Sequence, residues 1–180
     1  MARITQRMGF TRYEADEYYK LALDAYRKNR FDTAITHLND AIALLPTKAE
    51  YYATRGFFYL EDDVKDKAQA DFEKALRLNR LEMLAHYGRG IIAYREGNMD
   101  EARAHFQDAY KAAPNRPETL YYLALVNHRQ RNNAAARQWM AQAVAAFEAA
   151  DDRRRNDAAR WLKEIERALN AESLPGRRLP

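Results

Sequence analysis

The sequence predicts an all-α protein built from repeated helix pairs, and three observations predict it. Small residues return at a fixed interval: Ala22, Gly56, Gly90 and Ala124 stand 34 positions apart, and self-similarity at such a period marks a stacked repeat architecture. Glycine and proline number only 6 and 5 in 180 residues, too few for the many tight turns of a β fold. The chain is 47% hydrophobic and 31% charged, with charges of alternating sign, which suits amphipathic helices around an ample core.

The same register holds in further series. Ala34, Ala68, Ala102 and Ala136 are in phase, as are Ala41, Ala75, Ala109 and Ala143. Leu38, Phe72, Phe106 and Met140 supply a large apolar residue in every copy. Small residues let two helices approach closely and a bulky neighbour fills the space beside them. Four repeats follow, at 15–48, 49–82, 83–116 and 117–150.

Each repeat holds two apolar-periodic stretches. Polar breaks separate them at Lys28-Asn29-Arg30, Glu61-Asp62-Asp63, Glu96-Gly97-Asn98 and Gln130-Arg131-Asn132-Asn133. Asp32, Asp66 and Asp100 open the second helices, where an acid caps amides or opposes the dipole. Thr47 and Glu50 have the spacing of a capping box, and Pro117 suits a first helical turn. Pro46 and Pro114 close the first and third repeats.

These residues resemble the tetratricopeptide repeat family over 15–150. Repeat two carries the family pattern as Tyr52, Gly56, Tyr59, Ala68, Phe72 and Ala75. Repeat three carries Gly90, Ala102, Phe106, Ala109 and Pro114, and repeat one Tyr18, Leu21, Ala22, Ala34, Leu38, Ala41 and Pro46. The resemblance implies a right-handed superhelical solenoid of four helix-turn-helix repeats. There are departures. Arg55 and Arg89 replace the usual leucine and are expected to snorkel past apolar stems. Arg80 replaces the closing proline. Asn127 stands at the tyrosine position of repeat four, whose second helix is expected to run long or irregular.

A terminal repeat needs a polar cover. Residues 151–172 supply a C-terminal capping helix, with Ala158, Trp161, Leu162, Ile165, Ala168 and Leu169 in one apolar stripe. Residues 1–14 form an N-terminal extension, either loose or folded on the first repeat, and 173–180 a flexible tail.

Several classes of chemistry lack support. Without cysteine there is no disulfide, thiolate nucleophile or zinc–thiolate site. No Gly-rich phosphate loop, Gly-x-Ser-x-Gly elbow or His-Glu-x-x-His occurs. His37, His86, His105 and His128 read as structural or solvated rather than as metal ligands. The expectation is therefore a non-enzyme without cofactor or metal. The net charge of +4 comes from arginines interleaved with acids, Arg153-Arg154-Arg155 being the densest run, so nucleic acid is a weak alternative. No secretory signal and no apolar run of membrane-spanning length is present, and the cytoplasm is the expected location.

In the family the first helix of each repeat lines a concave groove. The corresponding face carries Tyr19, Leu23 and Tyr26, then Ala53, Phe57 and Leu60, then Tyr87, Ile91 and Tyr94, then Tyr121, Leu125 and His128. Lys20, Arg27, Arg95 and Arg129 flank it. Leu23, Phe57, Ile91 and Leu125 are expected to pack between repeats. For Tyr19, Tyr87 and Tyr121 groove binding and simple packing stand evenly, tyrosine being favoured at interfaces. The carboxylate clamp of chaperone-binding members is missing: Tyr19, Leu23, Thr54, Leu84 and Gly88 occupy its positions, and the register one repeat later also lacks it. The expected function is a scaffold or adaptor that binds a peptide or helix with apolar anchors and some negative charge. The alternative is a self-associating protein whose groove takes a second copy or its own Ile4, Met8, Phe10 and Tyr13.

Overall fold

A computed structural model describes residues 2–173, with side chains from 11 to 172. All regular structure among the described residues is helical. The helices are α1 (Ala2–Arg27), α2 (Phe31–Leu44), α3 (Ala49–Glu61), α4 (Lys65–Leu78), α5 (Met83–Glu96), α6 (Met99–Ala112), α7 (Pro117–Arg129), α8 (Asn133–Ala149) and α9 (Arg155–Ser173). They pair as helix-turn-helix repeats, with α9 as a capping helix. The chain forms two compact units, one ending at Arg89 and one beginning at Gly90, within α5.

In the first unit Ala22, Ala34, Leu38, Ala41, Ala68, Phe72 and Ala75 are wholly buried. Gly56 shows why the small position is obligatory. A Cβ there would lie 2.8 Å from the Phe72 ring, inside van der Waals contact. The second unit repeats this packing: Ala102, Phe106, Ala109, Ala124, Ala136, Met140 and Ala143 are buried, and a Cβ on Gly90 would lie 2.7 Å from Phe106.

The turn inside each repeat has one geometry. Asn29, Asp63, Gly97 and Arg131, again 34 apart, all have positive φ. The following amide bonds back across the turn, Arg30 to Ala25, Val64 to Tyr59, Asn98 to Ala93 and Asn132 to Asn127, at 2.8–2.9 Å. This is the left-handed closure of a helix C-terminus, which favours Gly, Asn and Asp. Arg131 is the one turn residue of the four outside that set.

Several local expectations are corrected. Thr47 and Glu50 form no capping box; Lys48 is the N-cap of α3 and no side chain caps it. Asp32, Asp66 and Asp100 lie within the first turn of their helices, beyond N-caps that make no side-chain bond, so they act on the dipole and not as caps. Asn132 is different: its side chain accepts from the Ala135 amide. Arg55 does not snorkel outward, since both its forks are engaged inside the first unit. The N-terminal extension is helical from Ala2, since α1 runs without a break from there to Arg27, a segment free of proline. Pro117 takes the first turn of α7. The α8 helix, at 17 residues, is longer than the 14 of α2, α4 and α6. Residues 174–180, expected as a tail, lie outside the described residues.

Candidate protein-interaction surface

In the first unit the first-helix face is built on α1 and α3. The Tyr19 hydroxyl lies 3.2 Å from Thr54 Oγ1, and its ring meets Tyr51 at 5.2 Å. Tyr51 in turn donates to Asp16 Oδ1 at 2.7 Å. Burial pushes the Tyr19 phenol up to about 12, the Thr54 hydrogen bond working against it. Tyr26 stacks on Phe58, centroids 4.3 Å apart and planes 4° from parallel, and meets Phe31 edge-on. These contacts fix one side of each ring. Tyr19, Leu23, Tyr26 and Phe57 stay half-buried, and Lys20 and Arg27 are exposed. Lys20 pairs with Glu17 at 2.7 Å.

Of the two alternatives weighed for Tyr87, packing and groove binding, its setting is that of packing. It is only 6% exposed, with its ring toward Phe57 at 6.4 Å. Ala53 and Leu60 are buried too. Of the residues singled out for this unit, the accessible set is therefore Tyr19, Lys20, Leu23, Tyr26, Arg27 and Phe57.

The corresponding residues of the second unit are more engaged. Ile91 and Leu125 are buried, as their packing role requires. The Arg129 guanidinium sits 4.1 Å from the Tyr94 ring centroid, a cation–π contact. Burial raises the Tyr94 phenol while Arg129 opposes that rise. Tyr121 donates to Asp157 of α9 at 2.7 Å; burial first, and this bond second, raise it strongly. His128 Nδ1 lies 2.6 Å from Asn133 Oδ1, and its ring meets Trp161 of α9 at 6.0 Å. Arg95 is exposed. Thus α9 engages Tyr121 and His128, which are half-buried like Tyr94, and Arg95 and Arg129 are the exposed residues of this set.

Two features escaped sequence reasoning. Ala158 continues the small-residue series 34 positions after Ala124 and is fully buried, so α9 packs as the first helix of an incomplete fifth repeat. The series itself was the signal. Second, Arg55 forms a fork with Asp71, two bonds of 2.7 Å, and adds a third to Asn39 at 2.6 Å. Side-chain exposures of 19% and 9% place this pair largely out of water. Burial opposes the guanidinium charge, yet the Asp71 bonds raise it on balance. The signal was paired: Arg55 breaks the leucine series in the repeat where Asp71 stands at the position of His37 and His105.

No group of three or more metal-binding side chains occurs among the described residues, and no described helix is long and apolar enough to cross a membrane. His86 Nε2 is 2.9 Å from the Arg80 carbonyl oxygen, a structural contact.

Comparison with known proteins agrees with this architecture. Residues 59–117 match a tetratricopeptide repeat family model. Anaphase-promoting complex subunit 3 of Schizosaccharomyces pombe is 30% identical over 96 residues, which are 53% of this chain and 14% of that one. The present chain thus spans a small part of that relative's length. A solved structure of Pseudomonas aeruginosa pilF aligns with a TM-score of 0.76 at 17% identity, over 89% of this chain and 71% of the other. The first tetratricopeptide domain of Spaghetti (RPAP3), solved bound to the HSP90 peptide SRMEEVD, aligns with a TM-score of 0.62 at 18% identity, over 67% of this chain and 98% of the other. At such identities these structures are likenesses of fold. With its register kept in every helix pair, this chain belongs to the tetratricopeptide repeat family.

Proposed function

We propose that the chain is a protein-interaction scaffold that takes a peptide or helix of a partner on its first-helix face. One observation carries the reading: in the first unit Tyr19, Leu23, Tyr26 and Phe57 are half-buried together, with the tyrosine rings held from behind by Thr54, Tyr51 and Phe58. Aromatic surface that is already ordered loses little side-chain entropy on binding. Tyrosine then offers an apolar face with a polar tip. Exposed Arg27 and Lys20 at its border favour a ligand carrying some negative charge.

The RPAP3 domain was solved with a peptide in place, which supports peptide binding as a use of this fold. The mode here is different. Tyr19, Leu23, Thr54, Leu84 and Gly88 occupy the clamp positions and offer no lysine or asparagine to a terminal carboxylate. Apolar anchoring replaces the clamp. Self-capture of the N-terminal segment finds less support, because residues 2–13 belong to α1 and that helix would have to break first.

The test uses a photo-crosslinking amino acid at Leu23, or at Thr36 on exposed α2, in the native cell. A partner crosslinked from position 23, absent from 36, and lost on adding Arg27→Glu supports the reading. A partner captured equally from both positions, or from 36 alone, overturns it. Crosslinks only to the chain itself select self-association.

A further inference from the structure

The second unit has a pocket of about 310 Å³ lined by Asp157, Arg160, Trp161 and Glu164. That volume is at the small end of ligand sites and suits a single side chain. The four residues follow i, i+3, i+4, i+7 spacing on α9 and so share one face of it. Two carboxylates and the half-buried Trp161 ring meet there. Asp157 and Trp161 are held from behind. Tyr121 donates to Asp157 Oδ2 at 2.7 Å. The His128 ring meets Trp161 edge-on at 6.0 Å. His128 is itself tied to Asn133, whose amide donates to Glu172 of α9.

Other aromatic rings of the chain show what such a setting attracts. Arg129 lies over Tyr94 at 4.1 Å, Arg154 over Phe147 at 4.9 Å and Lys67 over Tyr59 at 5.3 Å. Tryptophan is the side chain best suited to this contact, yet among the described residues no cation lies over Trp161. One cation of the chain does line the pocket: Arg160 donates to Asp157 Oδ1 at 2.7 Å. That guanidinium marks the chemistry the pocket accepts. Its hold is weak, because the Arg160 side chain is 79% exposed and the pair is an i,i+3 contact on one helix, a kind of small worth. Glu164 is held no better, by the exposed Arg167 at 3.3 Å.

We propose that this pocket binds a cationic side chain, lysine or arginine, of a partner's peptide segment. The cation lies over the Trp161 ring between the two carboxylates. Asp157 keeps its Tyr121 bond and takes the cation through Oδ1, the oxygen that Arg160 holds. Arg160 and Arg167 turn to solvent. The exchange replaces two solvent-exposed pairs by one cation beside an aromatic face, where its attraction to the carboxylates is less screened. The ring is already fixed by His128, so little ordering is left for binding to impose. Both carboxylates stay partly in water, so binding weakens with salt.

The experiment follows the indole N–H NMR signals of the isotope-labelled full chain at low salt. Trp139, on α8 and edge-on to Tyr110, is the internal reference. The probes are a short lysine-rich peptide, its arginine counterpart and its glutamine counterpart. The expected result is that at least one cationic peptide shifts the Trp161 signal and leaves Trp139 in place, while the glutamine peptide shifts neither. Glu164→Gln, at an exposed position, weakens binding about threefold or more. Glu148→Gln, an equal change of charge at an exposed position of α8, changes it less than about 1.5-fold. Arg160→Gln frees Asp157 and tightens binding about twofold or more, beyond the effect of Lys163→Gln on the same helix. The tighter cationic peptide tells ammonium from guanidinium. Equal weakening by Glu164→Gln and Glu148→Gln, equal binding of the glutamine peptide, or an unmoved Trp161 signal overturns the proposal. The pocket shares no residue with the Leu23 crosslinking site in the first unit, so its failure leaves that reading standing.

Discussion

Tyr19 in the first unit and Tyr121 in the second occupy the same position of the repeat, yet they meet different partners. Tyr19 reaches the neutral hydroxyl of Thr54, whereas Tyr121 donates to the carboxylate of Asp157. Around Tyr19 the aromatic face stays half-open. Around Tyr121 the last helix, α9, brings Asp157 and Trp161 against the tyrosine and His128. Both tyrosines are half-buried and each ties its helix to the next first helix, which in the second unit is the capping helix. What differs is the residue offered by the next first helix, and a charged acceptor makes the stronger tie.

The largest expected effect is on the capping helix. Ending the chain after Asp152 removes α9, with its buried Ala158 and Ile165 and half-buried Trp161 and Leu162. Burial of such side chains is worth about 1.5–3 kcal/mol each for the large ones. The second unit should melt far earlier in a calorimetric scan, with the first unit little changed. A single unshifted transition would show that α9 is dispensable.

Next comes the buried fork. Asp71→Ala leaves Arg55 largely out of water without its carboxylate and should cost about 3 kcal/mol in denaturant unfolding. Arg55→Leu with Asp71→Leu should recover most of that loss, since packed apolar groups replace such pairs at little cost. Failure to recover would mean the pair sets the packing of α3 on α4 in a way leucines cannot.

Gly56→Ala should cost about 1–3 kcal/mol, because the new methyl meets the Phe72 ring and overpacks the contact. Gly90→Ala, against Phe106, provides the matching measurement in the second unit.

The tyrosines themselves sharpen the comparison. Tyr121→Phe should cost more than Tyr19→Phe, about 2 against about 1 kcal/mol, the difference between charged and neutral acceptors. Titration provides a second readout. Burial raises the Tyr19 phenol from 10.0 to about 12, so folding favours its neutral form. The stability this contributes is whole below pH 10 and is lost as pH rises through about 12. Tyr121, raised further by burial and Asp157, should ionise later. Ultraviolet difference titration of the two Phe variants tests that order.

The smallest effect is a gain. Arg131 has φ of 58° where Gly97 stands one repeat earlier, and Arg131→Gly should relieve up to about 1 kcal/mol of left-handed strain, measured as a raised melting temperature.

Much of the fold could be read in advance, because the repeat forces each tight contact to recur. Ala34, Leu38 and Ala41 meet the same surroundings as their counterparts, so periodicity reports burial directly. Capping was less legible: Thr47 and Glu50 have the right spacing, but the chain enters α3 one residue later, at Lys48. Arg55 was misjudged because its partners come from two different second helices, and spacing along the chain does not express which carboxylate faces inward. The interaction face was legible as a set of positions. It was not legible as exposure, since Tyr87 and Tyr26 look alike in sequence, while one is buried toward Phe57 and the other keeps an open side.

By itself, then, the sequence determined the repeat, the order of its helices and the residues of its close contacts, for these are local and periodic. Only the tertiary structure decided which tyrosines are covered, which arginines find carboxylates and what α9 protects. Those outcomes depend on groups brought together from different helices, and their energies rest on distance and burial rather than on position in the chain.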